Sequence, residues 1–330
     1  MISASDIIRL PHTPDLTEGG IAYACRSLNY TYNRMGGSPY SRLRRIVGGV
    51  AVELAFRHAL TNRGIPFDVK GMTPFTEPDR YDVSLGGHRC DLKSFLISRR
   101  PQISEIRHDP SVLLNAQALI PSDQFAAQTH TGQDLFIFGF LSTLVAASRE
   151  DIQKAVDAGQ PTFMIHAFPK EWTQPQPWVP LGKLALKSES EHTMRVEIGG
   201  QNSERDFIVS QVELPPRQRV ETADLFYSLA YLHTEALPSG RIGIHSPSHH
   251  VTYLIQPAEW GNIWLYGMDI WLTGYISHEE FRRKASHVPE GSRVFQYNVT
   301  RTKNLGMQVS DLHSLGELLE KVKAWEAQHD

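Results

Sequence analysis

The stretch Tyr81–Lys93, YDVSLGGHRCDLK, sets two adjacent glycines between two runs of β-forming residues. A Gly-Gly pair supplies the two positive-φ positions of a tight turn, so this stretch specifies a β-hairpin. With Gly86 and Gly87 as the turn, Val83 faces Cys90, Asp82 faces Asp91 and Tyr81 faces Leu92. A four-residue loop, Leu85–His88, keeps that register. Side chains alternate between the faces of a strand. One face then carries Tyr81, Val83, Leu85, Cys90 and Leu92, an apolar set suited to a core. The other carries Asp82, Asp91 and Lys93, with the Cβ atoms of the two aspartates about 5 Å apart.

Like charges placed opposite each other weaken a hairpin. Two readings compete: the solvated face of an ordinary hairpin, and a carboxylate pair that holds a cation. Mg²⁺ takes hard oxygen ligands and is commonly held by one or two carboxylates with phosphate and water. Its charge reverses the local electrostatics. Lys93 lies two residues past Asp91 on the same face, within reach of a scissile phosphate or an attacking water.

Upstream, Ser38-Pro39 reads as a cap and first helical residue. The spacing predicts a long helix over Ser41–Asn62, with Leu43, Ile46, Val47, Val50 and Leu54 as its buried stripe. Gly48 and Gly49 inside it predict a close neighbouring backbone. Glu53 falls at the edge of the stripe, at the border of core and cleft, or on a solvated rim.

Further β-like pieces are expected in PFDVKGM, YDVSL and HRCDLKSFLI, and a helix around Ser111–Leu119. Asp134–Ala147 predicts a buried strand. Ser148–Gly159 predicts a Ser-capped helix. This order indicates an α/β core. From Gln160 onward, proline- and tryptophan-rich loops and hairpins are expected, with helices in TADLFYSLAYLHTEAL and SHEEFRRKASHVPEG. The expected division is an α/β domain over 1–158 and a β-rich α+β region over 159–330. The segments beginning at Asp134 and Asn262 share an order of aromatic strand, Ser-capped helix, Gly turn and strand, which suggests two similar halves or two common units.

Asp82, then Asp91-Leu92-Lys93 after a hairpin, preceded by a helix bearing Glu53, resembles the PD-(D/E)XK nuclease superfamily, which includes many restriction endonucleases. The resemblance covers roughly residues 38–145. It implies a restriction endonuclease-like core, a central mixed sheet flanked by helices. It implies Mg²⁺ (or Mn²⁺) held by Asp82 and Asp91 with the Leu92 carbonyl, Lys93 stabilising or positioning the nucleophilic water, and Glu53 binding or organising metal. The literal proline-aspartate also occurs as Pro78-Asp79, and Asp82 is preferred because it faces Asp91. Some members carry a glutamine after the lysine; Gln117 and Gln124 are candidates, Gln124 the favoured one. The activity implied is Mg²⁺-dependent DNA endonuclease action, as in restriction or antiviral defence. A non-catalytic binding or assembly protein on the same scaffold, and a nuclease for RNA or modified DNA, stand as alternatives.

Charge supports a phosphate-facing N-terminal third. Residues 1–100 carry 14 Lys+Arg against 9 Asp+Glu, whereas the rest carries 19 against 27. Arg42, Arg44, Arg45, Arg99 and Arg100 are candidate contacts to the DNA backbone. His245, His249 and His250 read as structural, because adjacent histidines in a strand point apart. Trp172, Trp178, Trp260, Trp264 and Trp271 suit core packing more than base stacking. The two cysteines, Cys25 and Cys90, offer neither a CxxC zinc pair nor a disulfide framework. With no apolar run of spanning length and no charged-then-apolar start, a cytoplasmic protein is expected. A homodimer is a further expectation.

Overall fold

The computed structural model describes residues 1–31, 38–69, 82–127, 131–249 and 252–326. It is a mixed α/β structure in two compact units. The first comprises Met1–Gly20, Arg45–Leu144 and Leu265–Asp330; the second comprises Ile21–Arg44 and Val145–Trp264. The C-terminal segment thus returns to the first unit, where a single cut near residue 158 was expected. Among the described residues no helix is long and apolar enough to cross a membrane.

The first unit is built on a five-stranded mixed sheet. Its strand order is Ile8–Leu10, Leu265–Ser277, Leu135–Val145, His88–Ile97 and Val83–Leu85. The His88–Ile97 and Leu135–Val145 strands run parallel, from Cys90 opposite Leu135 to Ile97 opposite Ser142. The outer pairs at both edges are antiparallel. The Leu135–Leu141 stretch is buried at every residue, which explains its unbroken apolar sequence. Phe95, Phe136, Phe138, Phe140, Trp271 and Phe281 lie together in one core cluster. Trp271 therefore packs in this core, its indole N–H donating to Ser142 Oγ at 3.2 Å.

The long helix spans Pro39–Asn62. Its buried side is wider than one stripe: Leu43, Val47, Val52, Phe56 and Leu60 are almost fully covered, while Val50 and Leu54 are only partly so. An unforeseen helix over Pro14–Thr31 packs beside Val47 and Leu54, and the Gly139 strand position faces Val52. A Cβ at Gly20 would stand 2.5 Å from the Val47 carbonyl oxygen, and one at Gly19 would stand 2.7 Å from Leu54 Cδ1. The close backbone approach expected at Gly48 and Gly49 occurs instead at Gly20. Gly48 faces side chains, Leu141 at 2.9 Å.

Three elements differ from expectation. Residues 111–119 are helical only in their first half: Pro110–Asn115 forms a 3₁₀ helix, and Gln117–Pro121 is a strand paired with Asn304–Gln308. Burial of Ala118, Leu119 and Ile120 in that pairing overrides the helical spacing. The TADLFYSLAYLHTEAL segment is a strand over Ser228–Thr234, paired on both sides and buried at six of seven positions. A doubly flanked strand needs no polar face, so its sequence mimics a buried helix. The Arg100–His108 helix was missed, although Pro101 in its first turn and buried Ile103 and Ile106 mark it.

The two Ser-capped helices are present. Ser148 Oγ accepts from the Asp151 N–H and Ser277 Oγ from the Glu280 N–H. The likeness ends after the helices. Met164–Ala167 enters a five-stranded antiparallel sheet of the second unit, and Ser286–Val288 enters a three-stranded sheet of the first. The second unit also holds a four-stranded antiparallel sheet.

Candidate functional site

Gly86 and Gly87 have φ of +50° and +77°, the positive pair that a two-residue turn demands. The ladder pairs Leu85 with His88, Ser84 with Arg89 and Val83 with Cys90, the expected register. The C-terminal helix covers the turn, with Val322 Cγ2 3.2 Å from where a Cβ on Gly86 would stand. Val83, Leu85, Cys90 and Leu92 are buried, as the apolar face requires. Tyr81, Pro78 and Asp79 lie outside the described residues.

Asp82 departs from the simple register. It sits at a bend just beyond the ladder, and its N–H donates to the Cys90 carbonyl at 3.1 Å. Its carboxylate swings across the strand and accepts the Leu92 N–H at 2.6 Å. Asp82 is thus locked onto the Asp91-Leu92-Lys93 segment through the backbone rather than by facing Asp91 as a ladder pair.

The polar face is not a solvated one. Side-chain exposure is 11% for Asp91, 16% for Lys93 and 27% for Glu53. Lys93 Nζ lies 2.7 Å from Asp91 Oδ2. Glu53 acts electrostatically on Asp82 and stands 3.7 Å from Arg57, one helical turn on. Arg57 also donates to the Asp82 carbonyl at 3.1 Å. Glu53, Asp82, Asp91 and Lys93 therefore come together, and Arg57 joins them. Sequence reasoning missed Arg57, although its i+4 spacing from Glu53 is the usual signal for a helix-surface ion pair.

Among the described residues, three carboxyls and two cations leave the cluster one negative charge in excess when all are ionised. The carboxyl of Asp82 carries the consequence: it titrates well above the ordinary value of 3.8. Burial is the largest cause, followed by the charges of Glu53 and Asp91; Lys93 and the Leu92 N–H oppose the shift. Among the described residues no three His, Cys, Asp or Glu side chains stand in metal-ligand geometry. Lys93 supplies the positive charge beside Asp91.

The other candidates are placed elsewhere. Gln124 is exposed on the short Ser122–Ala127 helix. Gln117 lies in the three-stranded sheet, its main chain bonded both ways to the Gln296 side chain. Arg44 is buried, and its Nε donates to the Asn262 carbonyl at 2.8 Å, so it serves the second unit's packing rather than a DNA surface. Arg99 is tied to Gln102, Asn298 and the Phe295 carbonyl. Arg45 lies close enough to Tyr297 to act on its hydroxyl, Arg42 lines a cavity of the second unit, and Arg100 is exposed.

Trp172 and Trp260 are buried, and Trp178 donates to the Ser203 carbonyl while stacking near Tyr227. His249 packs against Trp172, and His250 lies outside the described residues. Cys25 and Cys90 are both buried and free; burial pushes the Cys90 thiol up to about 12. No protein-family model, curated protein or solved structure matches this chain.

Proposed function

We propose that this chain is a Mg²⁺-dependent nuclease of the PD-(D/E)XK type, hydrolysing DNA phosphodiester bonds at the Glu53–Asp82–Asp91–Lys93 cluster. The observation that carries the reading is the convergence of Glu53, Asp82, Asp91 and Lys93 on one largely buried face, where burial and the neighbouring carboxylates raise Asp82. Perturbed carboxyls of this kind concentrate at functional sites. The donor chemistry suits a hard divalent cation, which would draw these carboxylates into ligand geometry. Asp82, Asp91 and Glu53 would supply carboxylate oxygens and Leu92 its carbonyl. When bound, the ion lowers the pKa of water and neutralises charge on the phosphate.

The chain's own groups do the rest. The Leu92 N–H fixes one oxygen of Asp82 and so aims the other. Arg57 holds the Asp82 main chain and Glu53 in relation to each other. Lys93 would place positive charge where the attacked phosphate becomes more negative. The test is cleavage of supercoiled and linear DNA in Mg²⁺ against EDTA, with Asp91→Ala and Lys93→Ala beside the wild type. Metal-dependent cleavage lost in both variants supports the site. Cleavage unchanged in both removes it.

A non-catalytic binding protein on this scaffold is the second reading, favoured by the Lys93–Asp91 ion pair, which satisfies Asp91 without metal. DNA binding without cleavage in any metal would select it.

A further inference from the structure

Asp269 is buried in the Leu265–Ser277 strand of the first unit, and it holds two arginines. Arg9 Nη2 lies 2.5 Å from its Oδ1, and Arg107 Nε lies 2.6 Å from its Oδ2. Arg9 comes from the edge strand Ile8–Leu10, opposite Trp271. Arg107 comes from the last turn of the Arg100–His108 helix. One arginine would be enough to neutralise a buried aspartate. The second leaves the trio with a net positive charge, and the two arginine side chains are 63% and 46% exposed. Asp15, which with Asp269 acts on His12 at this edge, is exposed, so solvent and salt screen its charge.

Both guanidiniums are fixed by more than the carboxylate. Arg9 lies over the buried Trp271 ring, 5.2 Å from its centroid. Arg107 Nη2 donates to the Gly267 carbonyl at 2.8 Å. The freedom of two long side chains is thus lost on folding rather than on binding. Among the described residues, Arg9 Nε and Nη1 and Arg107 Nη1 make no hydrogen bond, which leaves these donors for a ligand. Because both guanidiniums touch one carboxylate, their bonding nitrogens stand within about 7 Å of each other. One phosphate, or two neighbours along a strand, spans such a pair, and the planar arginine fork matches phosphate oxygens.

We propose that the Arg9–Asp269–Arg107 trio binds a phosphate group, carried in a nucleic-acid backbone or free in solution. Asp269 acts as the positioning residue and the two arginines as the contacts. All three lie in the first unit, and the site does not depend on a metal at the Glu53–Asp82–Asp91 cluster.

The test is binding by the full chain in EDTA, which removes any metal-dependent event. The probes are a short DNA duplex, followed by fluorescence anisotropy at several salt concentrations, and inorganic phosphate, followed by calorimetry. Duplex binding is expected, weakened about tenfold in Arg9→Ala and in Arg107→Ala, with a salt slope smaller by about 1 in each. That result assigns the phosphate to a nucleic-acid backbone. Saturable binding of inorganic phosphate that both substitutions abolish, with duplex affinity unchanged, assigns it to free phosphate. Arg9→Ala leaves Asp269 paired with Arg107, so this variant folds even if Arg107→Ala does not. Affinity for both probes unchanged in Arg9→Ala overturns the proposal and leaves the metal-cluster reading standing. Failure of the wild type to bind either probe up to ~1 mM also overturns it.

Discussion

Lys93 Nζ lies 2.7 Å from Asp91 Oδ2, two residues along the same strand, with both side chains largely withdrawn from water. In the metal-free protein the lysine stands where a cation would be needed. Its removal takes the ion-pair partner from Asp91, beside Asp82 and Glu53. Lys93→Met is expected to cost about 3–5 kcal/mol of metal-free stability, the scale for breaking a buried pair. It is also expected to enlarge the rise in Tm on adding Mg²⁺, while cleavage is lost. Thermal unfolding with and without Mg²⁺ checks both effects.

Asp82 sets a pH dependence. A carboxyl with a raised folded pKa binds its proton more tightly in the folded than in the unfolded chain. It therefore favours folding most at low pH, and that contribution is lost as pH rises from the unfolded value of 3.8 through the folded value. Asp82→Asn keeps an acceptor for the Leu92 N–H and removes the charge. Its metal-free stability relative to wild type is expected to grow with pH above 3.8 and then level off. Urea unfolding of both proteins across this range measures the difference. A constant difference would mean that Asp82 titrates normally.

Gly20 and the Val47 carbonyl bring two helix backbones into contact. A methyl group at Gly20 would stand 2.5 Å from that oxygen, and main chain cannot yield as a side-chain tip can. Gly20→Ala is expected to destabilise by about 1–3 kcal/mol or more despite the better helix propensity of alanine. Urea unfolding of the variant checks it.

The arginines separate by role. Arg44→Ala is expected to lower stability, since it leaves the Asn262 carbonyl without its charged donor. Arg100 is exposed at the start of a helix. Arg100→Ala is expected to leave Tm unchanged and to reduce the salt slope of DNA binding by about 1.

Much of the hairpin was legible because turn chemistry and alternation are local. The Gly86-Gly87 pair fixed the turn, and the period of two divided greasy from charged residues. The position of Asp82 was not legible, because the bend that sends its N–H to Cys90 and its carboxylate to Leu92 breaks the alternation. Glu53 could be placed on its helix, but the Arg57 that holds it needs the tertiary contact to Asp82. Arg44 looked like a surface cation because sequence does not show that the second turn of its helix is packed. The Ser228–Thr234 strand was read as a helix because full burial on both sides erases the period on which such readings rest.

The central claim is that the Glu53–Asp82–Asp91 carboxyls form a divalent-cation site. Calorimetric titration of Mn²⁺ into the metal-free protein, beside Asp82→Asn and Asp91→Asn, tests it most directly. The expected result is one saturable site in the wild type, abolished or weakened at least tenfold in each variant, with proton release that diminishes in Asp82→Asn. Absence of a saturable site, or an affinity that neither substitution changes, would contradict it.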